Sequence, residues 1–465
     1  MKFYKLNLPR QFELSRYYFL INVFVSVVII ILSYFAHAAN PAEAAPKEDQ
    51  GFYGNYQVDG HLMGIDRFVM DGGEKTALIS DYTSGVVRRL FRVDEIEFVM
   101  GQGFNTQDPP ELKVRLIKDG QGTVTGLRIR RTDGSESIAT RVPLRLEQVS
   151  FEQGDAKLSG TLIIPSSKGP HPAIILLHGS GPLTRYSFGP YPYFFSSLGL
   201  AVLIFDKRGV GESTGMRIDA STGTVMKPSF YPNDIASDAL SALRFLQQHK
   251  DIDPKRIGLW GSSEGGMLAT YVASKSKDVA FAINSSGFME PLWQTLSYQV
   301  EPVLRDMKEP EDVVQRQVDF VRQWLEVART GKSWKKFKMQ RAELIKKDGF
   351  TFFQSRGEYK SVEEIRWDWN HVLTFNPQEA LAKVTCPVLG LFGELDSVTP
   401  AVRTAENMRR VLTEANHNDF TIKIFPNAGH SLSELPAKSR MAPGVFETLN
   451  SWITDRIYKD QRYKK

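Results

Sequence analysis

At 465 residues the chain exceeds what one ordinary hydrophobic core holds, so at least two folded units are expected. A hydrophobic share of 42% beside 24% charged residues excludes a disordered or fibrous chain. The formal charge of +5 is concentrated: residues 1–38 carry Lys2, Lys5, Arg10 and Arg16 against Glu13, net +3, and the remainder has no clustered Lys/Arg stripe to suggest a nucleic-acid partner.

The first element in chain order follows from that basic start. An apolar run from Phe19 to Phe35 leads into Ala36-His37-Ala38-Ala39, which fits a small-residue cleavage site, and the pattern predicts a secretory signal peptide over 1–38 with a Pro/Ala-rich linker over 39–50. The apolar run approaches bilayer-spanning length, so an uncleaved anchor with the body outside is the alternative, and membrane contact is expected only through this segment if it stays. Both readings place the body across the inner membrane, periplasmic or secreted. Cys386, the only cysteine, allows no intramolecular disulfide and heads the apolar run Pro387 to Phe392, where a small core residue is expected.

Residues 51–145 are predicted to form a small antiparallel β-domain, a barrel or a sandwich. Val114 and Leu116 alternate with polar residues, Asp119-Gly120-Gln121-Gly122 turns, and Val124, Leu127 and Ile129 follow. Asp133-Gly134 turns again before Ile138, Thr140 and Val142. This segment is similar to the lipocalin-like β-domains appended to some bacterial serine hydrolases.

From 146 to 465 the rhythm becomes strand and helix in alternation. Strands are predicted at 158–164, 173–177, 201–205, 256–260, 279–284, 388–392 and 421–425, several of them apolar throughout, as strands covered on both faces must be. Ile235, Ala239, Leu240, Leu243 and Leu246 make one stripe of a helix over 234–248. The fold class is therefore α/β, a mostly parallel central sheet with helices on both faces. One interval breaks the alternation: 288–381 is helical, with Val314, Val318, Val321 and Leu325 at helical spacing and five of the seven tryptophans. A helical cap insertion with its own small core is expected there, lying over the site and shaping a substrate pocket.

Chemistry is concentrated in loops that follow strands. Arg256 to Trp260 leads into Gly261-Ser262-Ser263-Glu264-Gly265, and a helical stretch follows at once. A strand forced to turn directly into a helix displays its middle residue, so Ser263 is the candidate nucleophile. Such a serine needs a base, a group that orients the base, and donors for an oxyanion. Phe425-Pro426-Asn427-Ala428-Gly429-His430 follows the last strand and offers His430 as the base. Phe392-Gly393-Glu394-Leu395-Asp396 offers two carboxylates; Asp396 is assigned as the orienter, with Glu394 capping the turn or serving as the alternative acid. Oxyanion donors are backbone N–H groups, assigned to Ser180 in His178-Gly179-Ser180-Gly181-Pro182 and to Glu264, with Gly181 as the alternative to Ser180. His178 is expected to pack and hydrogen-bond beneath its loop. Asp206 and Arg208, around a glycine turn, are expected to hold that turn by an internal ion pair. Gly209-x-Gly211 lacks the third glycine of a dinucleotide fingerprint, and no metal-ligand spacing is present, so no cofactor and no metal is expected.

In this order, His178-Gly179-Ser180-Gly181-Pro182, Asp206-Lys207-Arg208-Gly209-Val210-Gly211-Glu212-Ser213, the Ser263 pentapeptide, Gly393-Glu394-Leu395-Asp396 and Gly429-His430 resemble the α/β-hydrolase superfamily, over roughly the last two-thirds of the chain. Within it the chain looks most like bacterial serine esterases near the dienelactone-hydrolase and serine-aminopeptidase branches, although a dienelactone hydrolase would carry Cys where Ser263 stands. The resemblance implies a serine hydrolase working through an acyl-enzyme on a small-molecule ester or acyl substrate. A peptidase, amidase or thioesterase on the same three residues is the alternative. A non-catalytic binding protein of the same fold is the reading from another class, and an intact set of three residues counts against it.

Overall fold

The structure is a computed structural model that describes residues 51–69, 73–216, 231–349, 351–352 and 359–459. The predicted signal segment and linker lie outside the described residues, and no helix among the described residues is long and apolar enough to cross a membrane.

The N-terminal strands are β1 (Gly54–Val58), β2 (His61–Val69), β3 (Lys75–Asp81), β4 (Val87–Arg92), β5 (Glu97–Gly101), β6 (Pro110–Lys118), β7 (Val124–Arg131) and β8 (Glu136–Arg141). Each pairs antiparallel with the next, and β8 returns to β1 through Tyr56↔Arg141, so the sheet closes into a barrel with no free edge. A period of two puts Tyr56, Ile65, Val114, Leu127 and Ala139 inside. After the Asp133-Gly134 turn the small residues, not the larger apolar one, face the interior. Leu127 pairs with Ala139, so Ser137 and Ala139 face inward while Ile138 and Thr140 face out. A one-residue shift of register exchanges the two faces, and apolarity alone does not choose between them.

The second sheet contains β9 (Leu144–Gln153), β10 (Ala156–Pro165), β11 (His171–Leu177), β12 (Ala201–Phe205), β13 (Ile252–Ser262), β14 (Ala282–Ser285), β15 (Val388–Gly393) and β16 (Phe420–Phe425). Its order is β16-β15-β14-β13-β11-β12-β10-β9, with β10 antiparallel to both its neighbours, β9 and β12, and every pair from β12 through β16 parallel. Successive residues of a strand serve opposite faces. Ile175, Leu203 and Leu259 join the core beneath α2 (Asn233–Gln247) and α3 (Glu264–Ala273), whereas Ile174, Val202 and Trp260 join the one beneath α1 (Tyr191–Ser197) and α10 (Val445–Thr454). Burying each such Ile or Leu stabilises the sheet by about 1.5–3 kcal/mol, which is why these strands read as continuous apolar runs.

Between β14 and β15 the chain forms α4 (Leu292–Asp306), α5 (Glu311–Thr330), α6 (Trp334–Asp348), α7 (Val362–Thr374) and the short α8 (Gln378–Leu381); α9 (Ala401–Glu414) follows β15. The stripe Val314, Val318, Val321 and Leu325 is buried on α5, and Trp324 meets Trp369 edge to face at 5.1 Å. The expected separate core is not found. Val300, Leu304 and Val321 belong to one connected cluster of buried side chains with Met267 and Phe392 on one face of the sheet.

The barrel docks on the α/β body through its outer face, where Leu78 and Val87 join the core under α1 and α10. Asp66 lies in this contact, 1% exposed, with neither carboxylate oxygen partnered within hydrogen-bond distance among the described residues. Burial pushes its carboxyl well above the usual range, and the nearby backbone N–H of Tyr193 offsets only part of that.

Candidate active site

The turn from β13 into α3 is where the sequence constrains the backbone most tightly. Ser263 adopts φ 55 and ψ −123, a conformation that L-residues with side chains rarely hold, and one residue later the helix begins. The glycines on either side make that turn sterically allowed. A methyl group at Gly261 would stand 2.0 Å from the Gly265 carbonyl oxygen, and one at Gly265 would stand 2.1 Å from that of Leu177. The Ser263 N–H donates to Ser285 O at 2.9 Å, which pins the turn to β14, and Ser263 O accepts from the Gly266 N–H at 2.9 Å to start the helix.

The two later loops meet each other. His430 Nδ1 lies 2.8 Å from Asp396 Oδ2, with the carboxylate fully buried and the imidazole side chain 27% exposed. Asp396 Oδ1 accepts from the N–H groups of Val398 and Thr399, each at 2.8 Å, so both carboxylate oxygens are engaged and the group is held in one orientation. A donor at Nδ1 puts the histidine in the tautomer whose Nε2 can accept a proton. Glu394 goes elsewhere: it is exposed and accepts from the Asn427 N–H at 3.1 Å, capping the turn before the histidine. Among the described residues no hydrogen bond joins the Ser263 hydroxyl to His430, a contact that in such sites tightens when substrate is bound.

The segments that carry the predicted oxyanion donors lie next to the serine. A methyl group at Gly179 would stand 3.5 Å from Ser263 Cβ, so the loop carrying Ser180 lies against the turn. Glu264 occupies the first position of α3, where backbone N–H groups point out of the helix and the helix dipole favours negative charge. Lys207 holds these two segments together and was given no role by sequence reasoning. Its Nζ donates to Gly179 O at 2.8 Å, to Gly181 O at 3.3 Å and to Glu264 Oε2 at 2.9 Å, in a pair whose two side chains are 6% and 0% exposed. A lysine in the turn after an apolar strand was the available signal, but its partner lies 57 residues away and no local pattern names it.

His178 sits beneath the loop as expected. Its Nε2–H donates to Thr184 O at 3.1 Å and its ring packs 4.3 Å from that of Phe188. Burial, helped by the Lys207 charge, pushes its pKa down to about 3. The folded protein therefore keeps His178 neutral while the unfolded chain takes up a proton below about pH 6.5, so stability is lost as pH falls from there. At pH 5 the cost is about 2 kcal/mol. His178→Gln, which keeps a donor for Thr184, is expected to lose less stability than the parent between pH 7.5 and pH 5; equal losses in denaturant titrations would rule this out.

The expected pairing of Asp206 with Arg208 does not form. Asp206 Oδ2 pairs with Arg185 at 2.8 Å and also accepts from the Glu212 N–H at 3.0 Å, while Arg208 pairs with Asp238 on α2 at 2.7 Å through Nε. Both side chains still hold the turn, but each finds a buried partner on another element, which satisfies the charge without straining the two-residue spacing. Elsewhere, Glu147, His249 and Asp251 bring ligand-type atoms within 4.8 Å of one another, and Arg145 pairs with both carboxylates of that group. The insertion reaches the acid loop through α4, where the Tyr298 hydroxyl donates to Asp396 O at 2.7 Å.

Residues 174–440 match the profile described as the alpha/beta hydrolase family. The chain belongs to that family. It is similar to Esterase EstD of Thermotoga maritima, 33% identical over 180 residues, which is 37% of this chain and 40% of that esterase. An uncharacterized 31.7 kDa protein from the traX-finO intergenic region of Escherichia coli is 29% identical over 246 residues, 52% of this chain and 78% of its own length. Thus the chain spans well under half of the esterase's length. Among solved structures, the Pyrococcus furiosus esterase Pf2001 is 16% identical, with 68% of this chain and 92% of that one covered at a TM-score of 0.42. The family match covers β11 to β16, the part of the sheet that carries Ser263, Asp396 and His430.

Proposed function

We propose that this hydrolase is an exported serine esterase that cleaves a small-molecule carboxylic ester through Ser263, His430 and Asp396. The observation that carries the proposal is the buried Asp396 carboxylate bonded to His430 Nδ1 at the carboxyl end of the sheet that also presents Ser263 on its strained turn. His430 Nε2 takes the Ser263 proton as the serine oxygen bonds to the acyl carbon. The oxyanion that forms receives the N–H groups of Ser180 and Glu264. Collapse breaks the ester C–O bond, and the leaving alcohol receives the proton from the imidazolium. Water, deprotonated by the same histidine, then attacks the acyl-enzyme, releases the acid and restores the serine.

The helices of 288–381 act in this proposal as a cap whose Tyr298 braces the acid loop. Export rests on the basic start and apolar run of residues 1–38. The test is labelling by a fluorophosphonate probe, followed by turnover on matched esters, thioesters and aminoacyl amides. Labelling that maps to Ser263, with esters turned over fastest, is expected. A folded protein that takes up no label would end the serine-hydrolase reading, and a preference for aminoacyl amides would move it to a peptidase.

A further inference from the structure

The loop that carries His430 runs from the end of β16 to α10, residues 426–444, and its backbone is strained. Asn427, Leu432 and Lys438 have φ of 55, 59 and 52, values that cost a non-glycine residue about 1–3 kcal/mol each. A loop of this kind keeps its shape only where its surroundings over-determine it. Part of the restraint is internal: Gly429 N–H donates to Ser433 O at 3.0 Å, Leu432 N–H to Gly429 O at 3.0 Å, and Glu434 N–H to Arg440 O at 2.9 Å. Ser433 and Met441 form an antiparallel bridge, so 439–441 makes the outer edge of the loop. An unpaired edge there would be open to water.

The barrel covers that edge. Val86 bridges Arg440 antiparallel, the Val87 N–H donates to Ser439 O at 3.0 Å, and the Met441 N–H donates to Gly85 O at 2.7 Å. The turn making these contacts, between β3 and β4, is itself held: Asp81 Oδ1 accepts from the N–H groups of Thr83 at 2.9 Å and Ser84 at 3.1 Å. Gly85 has φ +78, where a side chain strains the backbone, and a methyl group on it would stand 3.2 Å from Met441 O, tight enough to push that carbonyl by a few tenths of an ångström. Apolar packing runs the same way, since Leu78 and Val87 share one core with Ala428, Leu432 and Met441. Tyr82 stands edge-on to Phe446 of α10 at 5.5 Å.

We propose that the β3–β4 turn of the barrel positions the His430 loop, acting as one more strand on its outer edge, and thereby sets the activity of the hydrolase site. The contact chain is short: turn 85–87, edge 439–441, inner segment 432–434, then Ala428-Gly429-His430. The inference rests on the assignment of His430 as base, and Gly85 and Val87 are positioning residues that need not meet substrate.

The test compares Gly85→Val with Gly134→Val in the full chain. Both put a β-branched residue at a glycine of positive φ in the same barrel, but a methyl group at Gly134 meets nothing within 4 Å. Amide hydrogen exchange of 426–444 is the first readout. Gly85→Val is expected to speed exchange there about tenfold or more, with Gly134→Val at the parent rate. The second readout is ester turnover with the fluorophosphonate labelling rate. Gly85→Val is expected to lower kcat and labelling about tenfold or more while KM stays within about twofold, since a misplaced base costs rate rather than binding. Should Gly85→Val fail to fold, Asp81→Ala loosens the turn without a clash at Met441 and is expected to shift the same readouts in the same direction. Exchange of 426–444 that does not distinguish the two glycine variants would overturn the proposal. So would a loosened loop with unchanged kcat and labelling. An unlabelled parent protein would instead remove the serine-hydrolase reading, with the exchange difference still deciding whether the barrel holds the loop.

Discussion

Ser263→Ala is expected to lower kcat on an activated ester by about 10⁶ and to abolish fluorophosphonate labelling, with KM changed little. The size follows from the chemistry. Without the hydroxyl there is no acyl-enzyme, and the single hard step of attack by water replaces two easier ones. What survives is the contribution of the oxyanion donors and of substrate binding, about 10³–10⁴ over the uncatalysed reaction. Alanine at a φ of 55 relieves none of the backbone strain, so the variant should fold as the parent does, and circular dichroism melts will check this. A labelled Ser263→Ala protein would place the nucleophile elsewhere, with Ser262 the first residue to examine.

Asp396→Asn is expected to cost about 10⁴ in kcat, and Glu394→Gln no more than about threefold. Asparagine keeps an oxygen for the Val398 and Thr399 N–H groups, which hold Asp396 Oδ1 at 2.8 Å, so the loop should keep its shape. What it puts beside His430 Nδ1 is an amide N–H. That favours the tautomer with the proton on Nε2, where it can no longer accept one from Ser263, and it leaves an imidazolium without its buried counter-charge. Glu394 has no such connection. It is exposed and only caps the turn at Asn427, so losing its charge should show as a small stability change if at all. Steady-state kinetics with both variants decide between the acids, and the reverse ranking would give the orienting role to Glu394.

Much of the site was legible because its parts are local. A strand that must become a helix within one residue needs small neighbours, and Gly261 and Gly265 announce it wherever they flank a displayed residue. His430 and Asp396 each follow an apolar strand, and parallel strands deliver such loops to one end of a sheet. The sequence offered Asp396 and Glu394 together and favoured Asp396 for its place before the apolar anchor Val398 and Pro400; the structure puts Asp396 beside His430 and Glu394 at the Asn427 N–H. Strand β9 was not legible. As an edge strand with alternately exposed residues, Leu144 and Leu146 among those only partly covered, it carries no apolar run to mark it. Facing was also beyond the sequence in β8, where the pairing of Ala139 with Leu127 turns Ile138 outward.

The sequence by itself determined an antiparallel β-domain, though not its closure into a barrel, the doubly covered sheet, the turn at Ser263 and the order of the acid and histidine loops. All of these follow from short-range steric rules and from the period of apolar residues, which each segment carries within itself. Only the tertiary structure decided the partners. Asp206 left its neighbour Arg208 for Arg185, Lys207 joined the Ser180 loop to Glu264, and the helical insertion merged its core with that of the sheet. The barrel turn at Gly85 came to lie on the edge of the histidine loop, more than 340 residues away in sequence. Charges and open edges must be satisfied wherever burial puts them, and which distant group does so depends on how whole elements pack.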